Sequence, residues 1–404
     1  MLLKLSWKNI WRSKLRSLVV IGSIIMGIWA MIFGNGFMNG FIVSYMANSI
    51  NHDISHIQVH HPEFKRDQEV KYNVESGIQK AAEIRSWNGV VGATTRTLVT
   101  GMISSPRKAS GVQIRGIDTE NEAEVTRLDS LIGEGTYFEE INRNPIVIGS
   151  KLAENLQVGI KSKVVLTFND VNGTLTQVSG RIAGIIKSSS LSLGESYVFM
   201  RQEDLSRQLG IEGNIHEIAI LLGPQVDPQT IVDKYKSEFK GDLVETWEEI
   251  APQLAYMQDL YGSMLYVLMG IILTALVFGI INTMLMAVLE RMKELGMLMA
   301  VGMTRIRVFL MIMIETIYLG VVGAPLGLLL GWATVNYLNH DGVDLTAYSE
   351  GLEAFGYDSI LYPYVADEVY LIVTIGVFVT AFVGAIYPAL KAIRLKPVEA
   401  LHKI

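Results

Sequence analysis

The sequence predicts a membrane protein with four transmembrane helices and a large α+β extracytoplasmic domain inserted between helices 1 and 2. Three observations predict this class: four long apolar blocks, a one-sided layout of basic residues, and alternating strand and helix patterns between the first two blocks. Half of the 404 residues are hydrophobic and the mean hydropathy is +0.32. Because such a composition also occurs in large soluble proteins, the distribution of the apolar residues decides the class. The net charge of −6 gives no indication of a nucleic-acid partner.

Each of the four apolar blocks is long enough to cross a bilayer, which takes roughly 20 mostly apolar residues. None of them contains an internal lysine or arginine. The first and second are longer than a bilayer requires, so we expect both to continue outward as stalks. The predicted spans are Leu18–Tyr45, Leu260–Leu289, Phe309–Tyr337 and Val369–Ala389.

The basic residues predict the orientation of these spans. Lysines and arginines cluster in 1–17, in 290–308 and in 390–404, whereas the 338–368 loop carries seven acidic residues and no Lys or Arg. Basic segments stay on the cytoplasmic side of a membrane. The sequence therefore predicts an inner-membrane, multi-pass protein with both termini cytoplasmic and a large periplasmic domain. The first span is too long for a cleaved signal peptide, so we interpret it as a retained anchor.

The first 17 residues predict a cytoplasmic interfacial helix. Leu3, Trp7, Ile10, Trp11 and Leu15 share one helical face, and basic residues occupy the rest. Tryptophan favours the depth of the lipid headgroups, which separates this interpretation from a plain basic flank.

The 46–259 region predicts an α+β sandwich interrupted by a β-rich subdomain near 118–212. Alternating and β-branched segments indicate strands, and apolar residues at helical spacing indicate short helices. Asp227 followed by Pro228 is typical of a helix start. The predicted strands are Ile54–His60, Val91–Ser104, Ser110–Ile117, Ile146–Ile148, Val164–Phe168, Leu175–Val178, Arg181–Ile186, Tyr197–Met200, Glu217–Leu222 and Leu243–Thr246; the predicted helices are Glu75–Arg85, Ser150–Leu156, Glu203–Leu209 and Pro228–Phe239.

Residue chemistry gives few signs of catalysis. No Gly-Lys dipeptide occurs, so these 404 residues contain no phosphate-binding loop of the P-loop type. The sequence also lacks cysteine. His52, His56 and His60 are spaced by four, so on a helix they would share one face and could bind a metal. The strand-like alternation at 54–60 instead favours ordinary surface histidines. We therefore predict a non-catalytic chain with no metal and no cofactor of its own.

The most informative stretch runs from 289 to 332. A short mixed-charge segment with small residues suits docking into the groove of a partner. Glu315 then lies inside the third span, where a carboxylate must meet protein, water or a partner charge. A structural role is favoured for it over a transport role. Gly323, Gly327 and Gly331 are spaced by four, so they line one helical face and allow close helix packing.

These residues carry a resemblance to a known family. The run ERMKELGMLMAVGMT at 290–304, the IET that follows and the G-x-x-G-x-P-x-G pattern at 320–327 resemble the signature of FtsX-like permeases, the type VII ABC transporter family. The opening WKNIWRSKLRS at 7–17 and the tail from Pro388 to Leu401 are similar as well.

The resemblance implies a permease that works by mechanotransmission. A coupling helix at 290–308 would grip a cytoplasmic ABC ATPase, and that partner would bind ATP and Mg. A second permease subunit would complete a homo- or heterodimer. In such a family the ATPase-coupling residues fall on Glu290, Arg291, Glu294, Gly296, Ala300, Gly302 and Met303.

Within the family, the lipoprotein-releasing (Lol-type) permeases resemble the chain most, through 146–159, the TWEEIAPQL at 246–254 and the absence of a fused ATPase. This implies extraction of lipoproteins, with membrane lipid and a periplasmic carrier as further partners. The candidate substrate cavity, for which ordinary helix packing is the alternative, comprises Met31, Phe33, Phe37, Met38, Phe41, Met257, Leu260, Tyr261 and Met264.

Two other functions stay open at this point. One is efflux of a peptide or small molecule, as in MacB-type relatives, which usually carry their ATPase on the same chain. The other is a non-transporting signal transmitter that controls a cell-wall hydrolase. The large inserted domain favours cargo handling over the transmitter.

Overall fold

The computed structural model describes residues 2–12, 14–139, 141, 143–187, 191–354 and 357–394. The tail residues from Lys396 to Leu401, which carry part of the predicted motif, lie outside the described residues. The chain divides into two compact units. One is a helix bundle, made of Met1–Ile42, Gln258–Asp344 and Ile360–Ile404, and the other is an inserted domain, made of Val43–Met257 and Leu345–Ser359.

The bundle consists mainly of long helices, and the inserted domain contains short ones. Numbered along the chain, they are α1 Leu2–Arg12, α2 Lys14–Ser49, α3 Phe64–Asp67, α4 Gly77–Ile84, α5 Thr119–Thr126, α6 Ser150–Leu156, α7 Leu191–Glu195, α8 Gln202–Leu209, α9 Pro228–Glu238, α10 Trp247–Ile250, α11 Pro252–Glu290, α12 Met292–Ala300, α13 Arg305–Asp341, α14 Ser349–Ala354 and α15 Asp367–Ile393. A π-helix at Ile50–Ile54 continues α2, and 3₁₀ turns occupy Leu128–Leu131 and Thr346–Tyr348.

Four of these helices are long and apolar enough to cross a membrane: α2 with its π-helical end, α11, α13 and α15. Each contains one of the predicted spans. The first helix runs unbroken over 41 residues and α11 over 39, which at about 1.5 Å per residue is roughly twice the thickness of a bilayer core.

Glycines of α13 set the packing of the bundle. A Cβ on Gly323, Gly327 or Gly331 would come within 2.9 Å of Ile24, Ile28 or Ile32 of α2, respectively. Small residues allow two helices to approach this closely. Between helices in a bilayer, van der Waals packing and not the hydrophobic effect drives association.

The four long apolar helices differ in how much of their surface the bundle covers. In the most apolar stretch of α13, 56% of residues are buried, against 17% in that of α11. The uncovered side of α11 includes the exposed side chains of Val267, Ile271 and Phe278.

Six strands of the inserted domain pair in a closed ring. The strands described in the whole inserted domain are β1 Ile57–His60, β2 Val90–Ser104, β3 Ala109–Ile117, β4 Ile132–Gly135, β5 Pro145–Gly149, β6 Lys163–Asn169, β7 Leu175–Ile186, β8 Tyr197–Arg201, β9 Glu217–Leu222 and β10 Leu243–Thr246. Pairing runs β2-β3-β8-β5-β7-β6 and back to β2. We call this set the strand ring; it encloses one apolar core that includes Ile103, Ile114, Ile148, Leu166 and Val198.

Strands β10, β1 and β9 form an open sheet with β2, in the order β10-β1-β9-β2, and β4 pairs with β7 at the edge of the strand ring. Helices α4 and α9 supply Ile84 and Tyr235 to its separate apolar core, which also contains Ile57 and Ile220. Strand β2 belongs to both parts, because residues 90–96 pair with β9 and residues 96–104 pair with β3.

The inserted domain differs from the sequence prediction in several places; for example, the strand predicted from Ile54 begins at Ile57. The strand ring includes β2 and β3, so its boundary lies before the predicted residue 118. The two strands predicted at 175–178 and 181–186 are one strand, β7, since Gly180 makes room for the side chain of Ile146 instead of forming a turn. Helix α5 was not predicted; Asp118 caps its first turn by accepting a hydrogen bond from the Asn121 amide.

The loop between α13 and α15 holds a short hairpin of β11 Val343–Asp344 and β12 Ile360–Leu361. The chain before α15 lies on α2, where a Cβ on Gly40 would meet the backbone of Tyr362 and Pro363. The Asn39 amide donates to the Tyr364 carbonyl at 3.0 Å. These contacts fix the entry to the last long helix.

Candidate coupling site between the second and third long helices

The segment between α11 and α13 folds as a short helix with a turn on each side. Helix α12 covers nine residues, and the chain then turns at Gly302, whose φ of +107° lies in the left-handed region that favours glycine. Leu295 and Gly296 face the bundle and are buried. The opposite face carries Met297 and Val301, which are 55% and 85% exposed, so an apolar surface points away from the bundle.

A buried carboxylate holds this segment to α13. The side chain of Glu315 is only 7% exposed and receives two hydrogen-bond donors. The Asn9 amide donates to it at 2.6 Å, and Arg291 Nη1 lies 3.2 Å from its Oε2. A carboxylate in such a place is stable only with partners of this kind. Glu315 therefore joins the N-terminal helix, the segment before α12 and α13 at one point.

Three more ion pairs surround this point at the surface. Arg291 Nε lies 3.5 Å from Glu294, and Arg12 donates to the same carboxylate through two nitrogens, at 2.6 and 3.0 Å. Arg16 pairs with Glu290. Exposed pairs are each worth less than about 1 kcal/mol. The Arg12 pair joins α1 to α12 and the Arg16 pair joins α2 to α11, while Glu315 supplies the buried polar contact.

Helix α1 is also packed directly on α13. The Ser6 hydroxyl donates to the Met311 carbonyl at 3.2 Å, and the Trp7 ring meets Tyr318 edge to face at 5.5 Å. The Ser17 hydroxyl donates to the Ile10 carbonyl, which fixes the corner between α1 and α2. Motion of α12 is thus connected to α1 and α13 together.

The seven predicted coupling residues fall into three groups. Glu290, Arg291 and Glu294 form the ion pairs just described, and Gly296 is buried against the bundle. Ala300, Gly302 and Met303 follow on the outer turn, the first two exposed and the third half-buried.

Sequence reasoning missed several residues of this site. Asn9, Arg12 and Arg16 lie 274 to 306 positions from their partners, and only the three-dimensional structure joins them. Met297 and Val301 carried a usable signal, because two apolar residues four apart on a polar-flanked helix share one face.

Two family models match the chain. The one described as "MacB-like periplasmic core domain" matches residues 17–237, more than half of the chain, and the one described as "FtsX-like permease C-terminal" matches residues 266–397. The chain belongs to the FtsX-like, MacB-type family of ABC transporter permeases.

Three curated relatives are similar to this permease. It is 21% identical over 326 residues to "Lipoprotein-releasing system transmembrane protein LolC" of Neisseria meningitidis, which covers 78% of each chain. It is 20% identical over 359 residues to "Lipoprotein-releasing system transmembrane protein LolE" of Haemophilus influenzae, covering 81% of this chain and 80% of the relative. With "Macrolide export ATP-binding/permease protein MacB" of Campylobacter jejuni it shares 29% identity over 132 residues, covering 31% of this chain and 17% of the relative.

Three phenylalanines of the predicted substrate cavity, Phe33, Phe37 and Phe41, form a ladder with Trp29 on α2 of the permease. Trp29, Phe33, Phe37 and Phe41 follow at four-residue spacing, with ring centroids 5.2 to 5.8 Å apart. Met31 lies on a different face and is 1% exposed inside the bundle core, so it lines no open surface.

The remaining predicted cavity residues are more open. Met38, Met257 and Tyr261 are half-buried, whereas Leu260 and Met264 are more than half exposed. A cavity of about 400 Å³ opens between α2 and α11, and none of the nine predicted residues lines it. Its lining residues are Asn39, Ile42, Gln258, Asp259, Gly262, Ser263, Leu265 and Tyr266.

The histidines near the start of the inserted domain do not converge. His52 Nδ1 bonds the Thr126 carbonyl, His56 Nδ1 accepts from the Leu222 amide, and His60 bonds the His216 carbonyl. Burial lowers the pKa of His216 to about 4, so it stays neutral. Within the described part of the permease, no group of three or more His, Cys, Asp or Glu side chains is placed to hold a metal.

Proposed function

We propose that this permease couples ATP hydrolysis by a separate ATPase subunit to the extraction of lipoproteins from the inner membrane. The observation that carries the proposal is the attachment of α12 to α13 by the buried Glu315, with an apolar surface left exposed on the other side of α12. A short helix fixed to the transmembrane bundle and offering an unpartnered apolar face suits transmission of force from a docked partner.

The orientation follows from the same proposal. Helix α12 and both ends of the chain lie on the cytoplasmic side, where the ATPase binds ATP and Mg, and the inserted domain lies in the periplasm. The basic residues of 1–17 and 290–308, against the acidic 338–368 loop, support this arrangement.

The uncovered side of α11 supports a dimer of permease subunits. This span leaves most of its apolar stretch unburied within the chain, and a second subunit, identical or related, covers it in the proposed complex. Acyl chains bind between α2 and α11 of facing subunits, where the aromatic ladder offers a half-buried apolar surface. The permease chain itself then performs no chemistry, and a periplasmic carrier takes up the released lipoprotein.

Lipoproteins are the favoured substrate because the similarity to LolC and LolE extends over about four fifths of the chain. The test is the ATPase rate of the complex in nanodiscs, with a triacylated lipoprotein and with the same protein lacking its acyl chains. Stimulation by the acylated form alone supports the proposal. The 132-residue match to MacB favours efflux as the second candidate; stimulation by a peptide or macrolide instead of the lipoprotein is its expected result.

Docking on α12 makes a separate prediction. Val301→Asp places a charge in the centre of the exposed apolar surface, so we expect binding of the ATPase to weaken by about 2 kcal/mol, roughly 30-fold. The measurement is ATPase retention on the immobilised permease.

Val91→Asp is the matched control for that variant. It makes the same change at a valine that is 57% exposed on the inserted domain, and ATPase binding stays at the wild-type level. Equal binding by the Val301 variant and the wild type contradicts docking on this surface.

A further inference from the structure

The end of the first long helix, which lies within the inserted domain, is strained. The helix ends in the π-turn Ile50–Ile54, and Ser55 then adopts φ 65° and ψ 174°, a conformation populated almost only by glycine. The Ser55 hydroxyl is buried and has no hydrogen-bond partner among the described residues. A conformation of this kind is strained and persists only where neighbouring contacts enforce it.

The first of those contacts comes from Arg96, which is 1% exposed. Its Nη1 donates to the Asp53 carbonyl at 3.2 Å and lies 2.7 Å from the Glu217 carboxylate, while Nη2 lies 2.7 Å from Glu122. Arg96 is also the residue at which β2 leaves the open sheet and enters the strand ring, because it pairs with Glu217 on β9 and with Ile117 on β3.

The second contact comes from the strand ring itself. Arg115 on β3 lies 2.9 Å from the Asp53 carboxylate, and its guanidinium stacks over the Tyr197 ring at 3.5 Å. Asp53 is thus held by its carbonyl and its carboxylate at once, from two strands. The adjacent His52 is bonded to the Thr126 carbonyl of α5.

The contacts around Asp53 form a cluster of five charged, buried side chains: Asp53, Arg96, Arg115, Glu122 and Glu217. Burial alone would raise the pKa of Glu217, but the Arg96 charge holds it below its usual range. Buried ion pairs seldom add net stability over apolar packing, whereas their directional bonds enforce one geometry. The arrangement is therefore better explained by positioning than by stability.

We infer that Asp53, Arg96 and Arg115 form a rigid joint through which the first long helix moves the open sheet and the strand ring together. The three are positioning residues for the transport step, and the inference rests on the proposed function. Loss of the joint lets Ser55 relax to an unstrained conformation, so the helix moves without the domain and ATP is hydrolysed without lipoprotein release.

The test uses the full complex and measures two quantities: the distance between two spin labels, and the amount of lipoprotein released per ATP hydrolysed. The chain has no cysteine, so Val43→Cys and Leu175→Cys, at exposed positions on α2 and β7, accept spin labels without interference. The joint variant is Asp53→Asn with Arg115→Gln; Asp53→Asn alone is the milder form if the double variant does not fold. Asp242→Asn is the matched control, since it breaks a buried pair with Lys80 in the same domain, away from the junction.

The wild type and the Asp242 variant are expected to give one narrow distance between the labels. The joint variant is expected to broaden it and to release about tenfold less lipoprotein per ATP, in the range typical of lost coupling between sites. A distance that stays narrow, or a ratio that stays at the wild-type level, overturns the joint. Absence of lipoprotein release by the wild type instead refutes the proposed function, and the distance still tests the joint.

Discussion

Glu315→Ala is expected to lower the free energy of unfolding of the helix bundle by about 3 kcal/mol, because it removes one partner of a buried ion pair. Asn9 and Arg291 then lose the acceptor that joins them to α13. Helix α12 then keeps its exposed ion pairs and the packing of Leu295 but loses its buried polar contact with α13, so we also expect lipoprotein to stop stimulating the ATPase. Thermal unfolding and ATPase assays in nanodiscs measure both effects.

Two variants separate the buried contact from its surroundings. Glu315→Gln keeps an oxygen acceptor for Asn9 and Arg291, so its effect is expected to be smaller. Arg12→Ala removes a pair with Glu294 that is largely exposed, worth less than about 1 kcal/mol. A loss for the Arg12 variant as large as that for Glu315→Ala contradicts the central place given to Glu315.

Gly327→Val has the second large expected effect. A Cβ at this position would lie 2.9 Å from the Ile28 Cβ and 3.2 Å from the Ile25 backbone. Backbone atoms cannot move aside, so α13 separates from α2, and overpacking of this kind costs about 3 kcal/mol. The expected result is a lower midpoint of thermal unfolding and a poor yield of folded protein.

Gly22→Val is the control for that substitution. Gly22 lies on α2, and no atom lies within 4 Å of the Cβ it would carry. The same residue is introduced into the same pair of helices, but without a clash, so the unfolding midpoint is expected to stay within a few degrees of wild type. If both variants unfold alike, the glycine contacts do not set the packing of the bundle.

The local patterns that sequence reasoning uses account for the success of the fold prediction. The four long helices follow from uninterrupted apolar blocks, and the α+β character of the inserted domain follows from strand and helix periodicities. The closed strand ring depends on pairings between distant segments, such as β2 with β6 and β3 with β8, which no local pattern specifies. The error at β7 has the same origin: Gly180 resembles a turn residue, and only the position of Ile146 explains it.

The candidate coupling site shows the same division. A short helix within 290–308 could be predicted, because a short mixed-charge segment with small residues lies between two apolar blocks. Its geometry could not, since the partners of Glu315 are 24 and 306 positions away. Likewise, no local sequence pattern predicts that Arg96 forms ion pairs with both Glu122 and Glu217. Long-range charge pairing is fixed by the tertiary fold.

The most direct test of the account is release of a triacylated lipoprotein from proteoliposomes that contain the permease and its ATPase. With ATP, the acylated protein is expected to move from the membrane to a soluble carrier in the wild type, and to remain in the membrane with Glu315→Ala. Release without ATP, or equal release by both, contradicts force transmission through α12. ATP hydrolysis by an intact complex without any lipoprotein release contradicts the proposed substrate.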